Sequence, residues 1–179
     1  MNQLGQVIFP EWMDILEDPH ALNTIGAAAY DAEGVLTRKK HFIRDGILES
    51  YVLGSYSARR LGLETTANAG GVHNMLLASK TPENILADRA ALLKKMDRGV
   101  LVTSLMGSSV SILTGDYSRG ASGFWVENGE IQYPVNEFTI ASNLKDMFKN
   151  IQAIGHDIDH RKNIKMGSVL VADMMIAGK

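Results

Sequence analysis

His156-Asp157-Ile158-Asp159-His160 sets two imidazoles four residues apart, with a carboxylate directly after the first. On a helix both rings share one face, where they can hold zinc while the acid acts as a general base. The flanking residues point elsewhere. Gly155 precedes the pair, a β-prone run leads into it, and Asp157, Asp159 and Asn163 favour turns. The acid is also aspartate, one methylene shorter than the glutamate this chemistry uses. The pair His156/His160 is therefore expected to be a decoy, with no metal ligand and no catalytic residue assigned to this chain.

Two further runs have the composition of binding loops. Gly115-Asp116-Tyr117-Ser118-Arg119-Gly120-Ala121-Ser122 has the glycine spacing of a phosphate-binding loop, but Ala121 stands where the lysine is needed. The helix that should follow is replaced by Phe124-Trp125-Val126, which reads as strand. A turn requiring glycine dihedrals is the expectation there. Asn68-Ala69-Gly70-Gly71-Val72-His73-Asn74 places two glycines beside polar side chains, so a peptide or ligand backbone can come close. Gly70, Gly71, His73 and Asn74, with Phe124 on the later strand, are the candidate peptide- or partner-binding residues. The alternative for this run is a structural loop between elements. No Gly-x-Ser-x-Gly nucleophile elbow occurs.

The 179 residues carry a net charge of −2 and no cysteine. Disulfides, thiol catalysis and cysteine-based zinc sites are excluded. Without a basic field, direct nucleic-acid binding is not expected. Arg38-Lys39-Lys40-His41 is a short solvated face. The first residues lack a basic segment followed by an apolar one, and no run approaches the ~20 apolar residues of a membrane span. A soluble, cytoplasmic chain is the expectation.

The elements that must carry these residues read as follows. Residues 1–20 give a short strand and a loop. Asp45-Gly46 between apolar runs predicts a hairpin, and Asn128-Gly129 predicts a type I′ hairpin joining Ala121–Glu127 to Glu130–Ile140. Ser55 is expected to cap a short helix stopped by Gly62. Thr81-Pro82-Glu83 has the form of a helix start and predicts a helix ending at Gly99. Val100–Leu105 reads as a buried strand. Ser142 is expected to cap another helix, with Leu144, Met147, Phe148 and Ile151 turned inward. Residues 167–178 give one or two strands. The whole predicts one α+β domain over residues 1–179, mainly antiparallel sheet built from hairpins with two or three short helices.

Several segments in this order resemble a known family. They are Ser55–Gly62, Asn68–Asn74, Leu105-Met106-Gly107, Thr114–Ile131, Ile140–Lys145 and Gly167–Leu170. Together they are similar to the C-terminal region of the PmbA/TldE branch of the TldD/PmbA metalloprotease family. That resemblance implies a heterodimer that hydrolyses peptides, with roles in peptide-antibiotic maturation and antitoxin degradation. It places zinc in a TldD-type partner subunit and no cofactor in this chain. The absent cysteine agrees with the branch that lacks the metal ligands. The chain's implied role is to bury the partner and wall the peptide chamber, where peptide can add a strand to an exposed sheet edge. An older label for the family, modulator of DNA gyrase, implies the alternative of a protein-binding modulator without proteolysis.

Overall fold

A computed structural model describes residues 3–86, 88–107 and 109–178. The chain divides into two compact units: Met1–Pro82 with Ile158–Gly167, and Glu83–Asp157 with Ser168–Lys179.

The first unit is built on β1 (Met13–Glu17), β2 (Lys40–Arg44), β3 (Ile47–Leu48), α1 (Ser55–Leu61) and β4 (Met75–Ser79). A late strand, β10 (Ile164–Lys165), completes it, giving the sheet order β10-β4-β1-β2-β3. β1 is antiparallel to both β2 and β4, with Glu17 opposite Lys40 on one side and Met75 on the other. β10 runs parallel to β4. Met13, Phe42, Ile43, Leu53, Ala58 and Ala67 are buried. The Asp45-Gly46 hairpin forms as expected, with both residues at positive φ (51° and 73°). For α1 the cap moves by one residue: Gly54 holds the N-cap position and Ser55 is the first helical residue. The Glu33 carboxylate accepts the Ser55 N–H at 2.8 Å, supplying what a capping side chain would have supplied. Gly62 ends the helix in the left-handed conformation, as expected.

The second unit holds β5 (Ile85–Leu86), α2 (Arg89–Met96), β6 (Gly99–Met106), β7 (Asp116–Glu127), β8 (Glu130–Asn143), α3 (Leu144–Lys149), β9 (Ile151–Gly155), β11 (Val169–Val171) and β12 (Met175–Ala177). Two sheets result, ordered β11-β9-β5 and β12-β8-β7-β6. The second is antiparallel throughout. Its core joins Ala121, Phe138 and Ile140 to Val100, Val102, Tyr117, Val135 and Met174. Asn128 and Gly129 lie at φ 54° and 73°, the left-handed pair that a type I′ turn demands.

Several expectations shift here. The strand expected to be buried, β6, leaves Thr103–Met106 exposed, and Phe148 of α3, expected inward, is exposed. The Thr81-Pro82-Glu83 start yields only a 3-10 turn, Pro82–Asn84. Ile85 and Leu86 are drawn instead into parallel pairing with β9, opposite Ile154 and Gly155, and the helix begins at Arg89. Asp88 is its true cap, accepting the Ala91 N–H at 2.9 Å, and Asp97, not Gly99, closes it. α3 is capped by Asn143, whose side chain accepts the Lys145 N–H, so Ser142 remains in β8. Ile151 belongs to β9 and not to the helix. The result is an α+β fold of mainly antiparallel sheet, with three short helices among the described residues.

Candidate functional site

The polar loop 67–74 is the most elaborately held segment of the first unit. Four positive-φ residues bend it: Gly70 at φ 88°, Gly71 at φ 120°, Asn74 at φ 46° and Ala67 at φ 57°. Glycine supplies the first two conformations without steric penalty. What fixes the bend is Glu17, at the end of β1 and fully shielded from solvent. Its Oε1 accepts the Asn68 side-chain N–H at 2.8 Å and the His73 backbone N–H at 2.6 Å. Its Oε2 is ion-paired with Lys40 of the neighbouring strand. A carboxylate can be buried in this way because its charge is both paired and hydrogen-bonded.

Two further anchors hold the loop ends. Asp31 accepts N–H groups from Ala69 at 3.0 Å and from Glu33 and Val35 at 2.9 Å each. Burial pushes the Asp31 carboxyl upward, but these donors outweigh it and hold the pKa below the ordinary carboxylate value. Asn74 donates to the Asp18 carbonyl at 2.7 Å and accepts from the buried Lys165 ammonium. Asn163 accepts the Asn74 N–H at 2.5 Å and donates to the Val72 carbonyl. The polar atoms of Glu17, Asn68, Asp31 and Asn74 are thus committed to the fold of the first unit. His73 differs. Its Nε2 is buried and has no hydrogen-bond partner among the described residues. At Gly71 a side chain would meet no atom within 4 Å, so space is open there. Binding of a backbone or a polar group is what this arrangement can do, since no nucleophile with a base beside it is present in the loop.

Of the expected residues, Gly70, Gly71, His73 and Asn74 are brought together by this loop. Phe124 lies in the other unit. It sits on β7, which pairs with β6 and β8 at once, with Leu101 and Pro134 opposite the phenylalanine. A strand therefore cannot add at Phe124, and its availability is limited to a face of the sheet. Glu17, Lys40, Asp31 and Lys165 were not anticipated from sequence. The one available signal was Glu17 in a strand at an even spacing from Met13, a core-facing position for a carboxylate.

His156–His160 is not helical, so the four-residue spacing does not bring the imidazoles to one face. The acids between them are engaged. Asp157 accepts the Ser168 N–H at 2.9 Å and its hydroxyl at 2.7 Å. Asp159 is paired with Arg161, whose side chain and backbone N–H groups hold its carboxyl down to about 2. Among the described residues, no three His, Asp or Glu side chains converge to hold a metal ion. The donor set does not fit zinc, and no chemical step is assigned to zinc in this chain. The glycine-spaced run 115–122 is likewise absorbed. Gly115, at φ 85°, directly precedes the strand and β7 begins at Asp116, so the amides of the rest of the run belong to sheet pairing and not to a phosphate cradle.

Residues 1–178 match the family model described as the PmbA/TldA metallopeptidase C-terminal domain. Over 179 residues the chain is 52% identical to the metalloprotease PmbA of Escherichia coli O157:H7, covering 100% of this chain and 39% of that protein. To a metalloprotease TldD homolog of Buchnera aphidicola subsp. Acyrthosiphon pisum it is 25% identical over 163 residues, covering 88% of the chain and 34% of that protein. A solved Thermotoga maritima structure, named as a candidate modulator of a DNA gyrase, superposes with a TM-score of 0.83 at 31% identity, covering 98% of this chain and 41% of that one. The chain thus spans well under half the length of the relatives it matches.

Proposed function

The chain belongs to the PmbA/TldD metallopeptidase family, matching its C-terminal domain, and on that premise we propose that it serves as the C-terminal domain of a PmbA/TldE-type subunit that holds no zinc. In this reading the zinc sits in a TldD-type partner, and the two subunits form a cytoplasmic heterodimer that hydrolyses peptides. Peptide-antibiotic maturation and antitoxin degradation are the processes it would serve. One observation carries the assignment to the PmbA side. Identity is 52% with PmbA but 25% with the TldD homolog, over nearly the same residues. The absence of cysteine and the donor set around His156 and His160 are compatible with it. Among the described residues no helix is long and apolar enough to cross a membrane.

The chain's part would be to present a shaped surface to the partner and to the peptide. The loop 67–74 supports this role: its backbone is fixed by Glu17 and Asp31, Gly71 faces open space, and the buried Nε2 of His73 has no hydrogen-bond partner among the described residues. Phe124 would contribute through the sheet face. The test is co-expression with a TldD-type subunit, followed by zinc analysis and peptide cleavage by the pair and by each half. Cleavage only by the pair, with zinc in the TldD-type chain, is expected. Robust proteolysis by this chain alone would overturn the reading. A second reading, a modulator that binds DNA gyrase without proteolysis, draws on the name given to the Thermotoga maritima structure. It requires gyrase capture with no TldD-type subunit present.

A further inference from the structure

The joint between α2 and β6 is strained. Asp97 closes the helix at φ 60° and ψ −60°, and across it the Arg98 N–H donates to the Met96 carbonyl at 2.6 Å. This is a γ-turn with positive φ at its centre, the rare and strained form of that turn. It lies outside the left-handed region that aspartate tolerates, and glycine, which would adopt it freely, is not there. Strain of this kind persists only where the surroundings over-determine it. The Asp97 N–H donates to the Leu93 carbonyl at 3.0 Å, and the Asp97 carbonyl accepts the Gly129 N–H at 2.8 Å from the tip of the β7–β8 hairpin. The tip also touches the last turn of the helix: a carbon added at Gly129 would lie 2.9 Å from the Lys94 Cα. The Arg98 guanidinium lies over the Trp125 ring, 5.5 Å from its centroid.

The helix that ends at this joint is lightly held. α2 has eight residues, fewer than the ~12–15 at which an isolated helix becomes stable. Leu92 is its one buried side chain. Alongside it the two sheets of this unit leave a gap. Cavities of about 480 and about 330 Å³ share Met96, Val100, Val102, Ile140, Leu170 and Met174 among their walls. Leu92 and Leu93 border the smaller one. Ile140 is buried, but Val100, Val102, Leu170 and Met174 are only half-buried, so the apolar walls stop short of the close packing of a finished core. Few buried apolar contacts are what mark a segment that opens locally.

We infer that α2 is a lid over this gap, hinged at Asp97, and that strain in the closed joint is the spring that favours its opening. Lifting the helix lets Asp97 relax to an ordinary backbone conformation. That relaxation offsets part of what opening loses, namely the packing of Leu92 and the hydrogen bond from Gly129. The hairpin tip is the catch: its bond to the Asp97 carbonyl, with the Trp125 ring under Arg98, holds the joint in its strained form. Opening exposes apolar walls that β6, β8 and β11 already supply. The device belongs to the second unit alone and does not depend on the proposed function.

The absence of cysteine gives a direct assay. Leu92→Cys places a single thiol on the shielded face of α2, where Leu92 is 5% exposed. Its reaction with an aromatic disulfide reagent measures how often the lid lifts. Below the unfolding transition the rate should hardly depend on urea, since a local opening exposes little surface. In that background Asp97→Gly should slow labelling by about threefold to tenfold, because glycine holds the closed joint without strain. Asp97→Ala keeps the β-carbon and should stay within about twofold of its parent. Arg98→Ala, at an exposed position, loosens the catch and should hasten labelling by about threefold. Hydrogen exchange of the Leu92 and Asp97 amides in the chain without the added thiol repeats the comparison with the Leu92 packing intact. Labelling and exchange that rise with urea along the slope of global unfolding, or an Asp97→Gly variant that opens as fast as its parent or faster, would overturn the inference.

Discussion

Replacing Glu17 tests the architecture of the loop most directly. Glu17→Met removes a carboxylate that is fully shielded, leaving Lys40, itself only 11% exposed, without its partner. It also orphans the Asn68 and His73 N–H groups. Breaking one side of a buried ion pair costs about 3–5 kcal/mol. The Lys40 ammonium keeps a contact with the Phe42 ring, 5.5 Å from its centroid, so about 4 kcal/mol is expected rather than more. For a chain of this size that lowers the melting temperature by about 8–16 °C. The two tryptophans make the assay specific, because Trp12 lies in the first unit and Trp125 in the second. In a Trp125→Phe background, urea unfolding followed by Trp12 fluorescence reports the unit that contains Glu17. Lys40→Met and the double variant complete a cycle, in which the pair should couple by about 1 kcal/mol or more. Exchange of the His73 amide should accelerate in Glu17→Met but not in variants of the second unit. Additive losses within about 0.5 kcal/mol, or a loss below about 1 kcal/mol for Glu17→Met, would refute the claim that this carboxylate fixes the loop.

Three other outcomes are expected. Gly129→Ala should destabilise the second unit by about 2 kcal/mol, because φ is 73° and the added carbon would lie 2.9 Å from the Lys94 Cα; urea unfolding followed by Trp125 measures it. Asp88→Ala should cost about 1 kcal/mol through loss of the α2 cap, read as a shift of the same transition. Asp159 has a folded pKa of about 2, below its ordinary 3.8, so its contribution is complete above the ordinary value and disappears as pH falls through about 2. Carboxyl NMR titration should show that midpoint, and Arg161→Ala should return it toward 3.8.

What could be read from the sequence was whatever depends on near neighbours. Asn128-Gly129 and Asp45-Gly46 specify their turns through their own dihedral preferences, so both hairpins were legible, and with them the antiparallel class. The helix start at Thr81 was misread because its local signal is real but loses to pairing. Ile85 gains a partner in Ile154, 69 positions later, and no local pattern announces that. The loop 67–74 was visible as a place where backbone could bend. The carboxylate that bends it was not, since Glu17 meets Asn68 and His73 across 51 and 56 positions. Phe124 was placed on a strand correctly, but edge and centre of a sheet differ only in the partners of that strand, which sequence does not display.

The late strand β10 has a consequence for how the protein is made. The first unit takes its sheet from residues before Pro82 and from Ile164–Lys165, so β4 lacks its outer neighbour until the whole intervening segment has left the ribosome. At synthesis rates of about 5–20 residues per second, that delay is on the order of 4–16 seconds. During it Asn74 lacks Lys165 and Asn163, the two residues that later secure it. A nascent chain within that interval carries the Gly70–Gly71 bend without its final anchor, open to chaperones and proteases until β10 arrives.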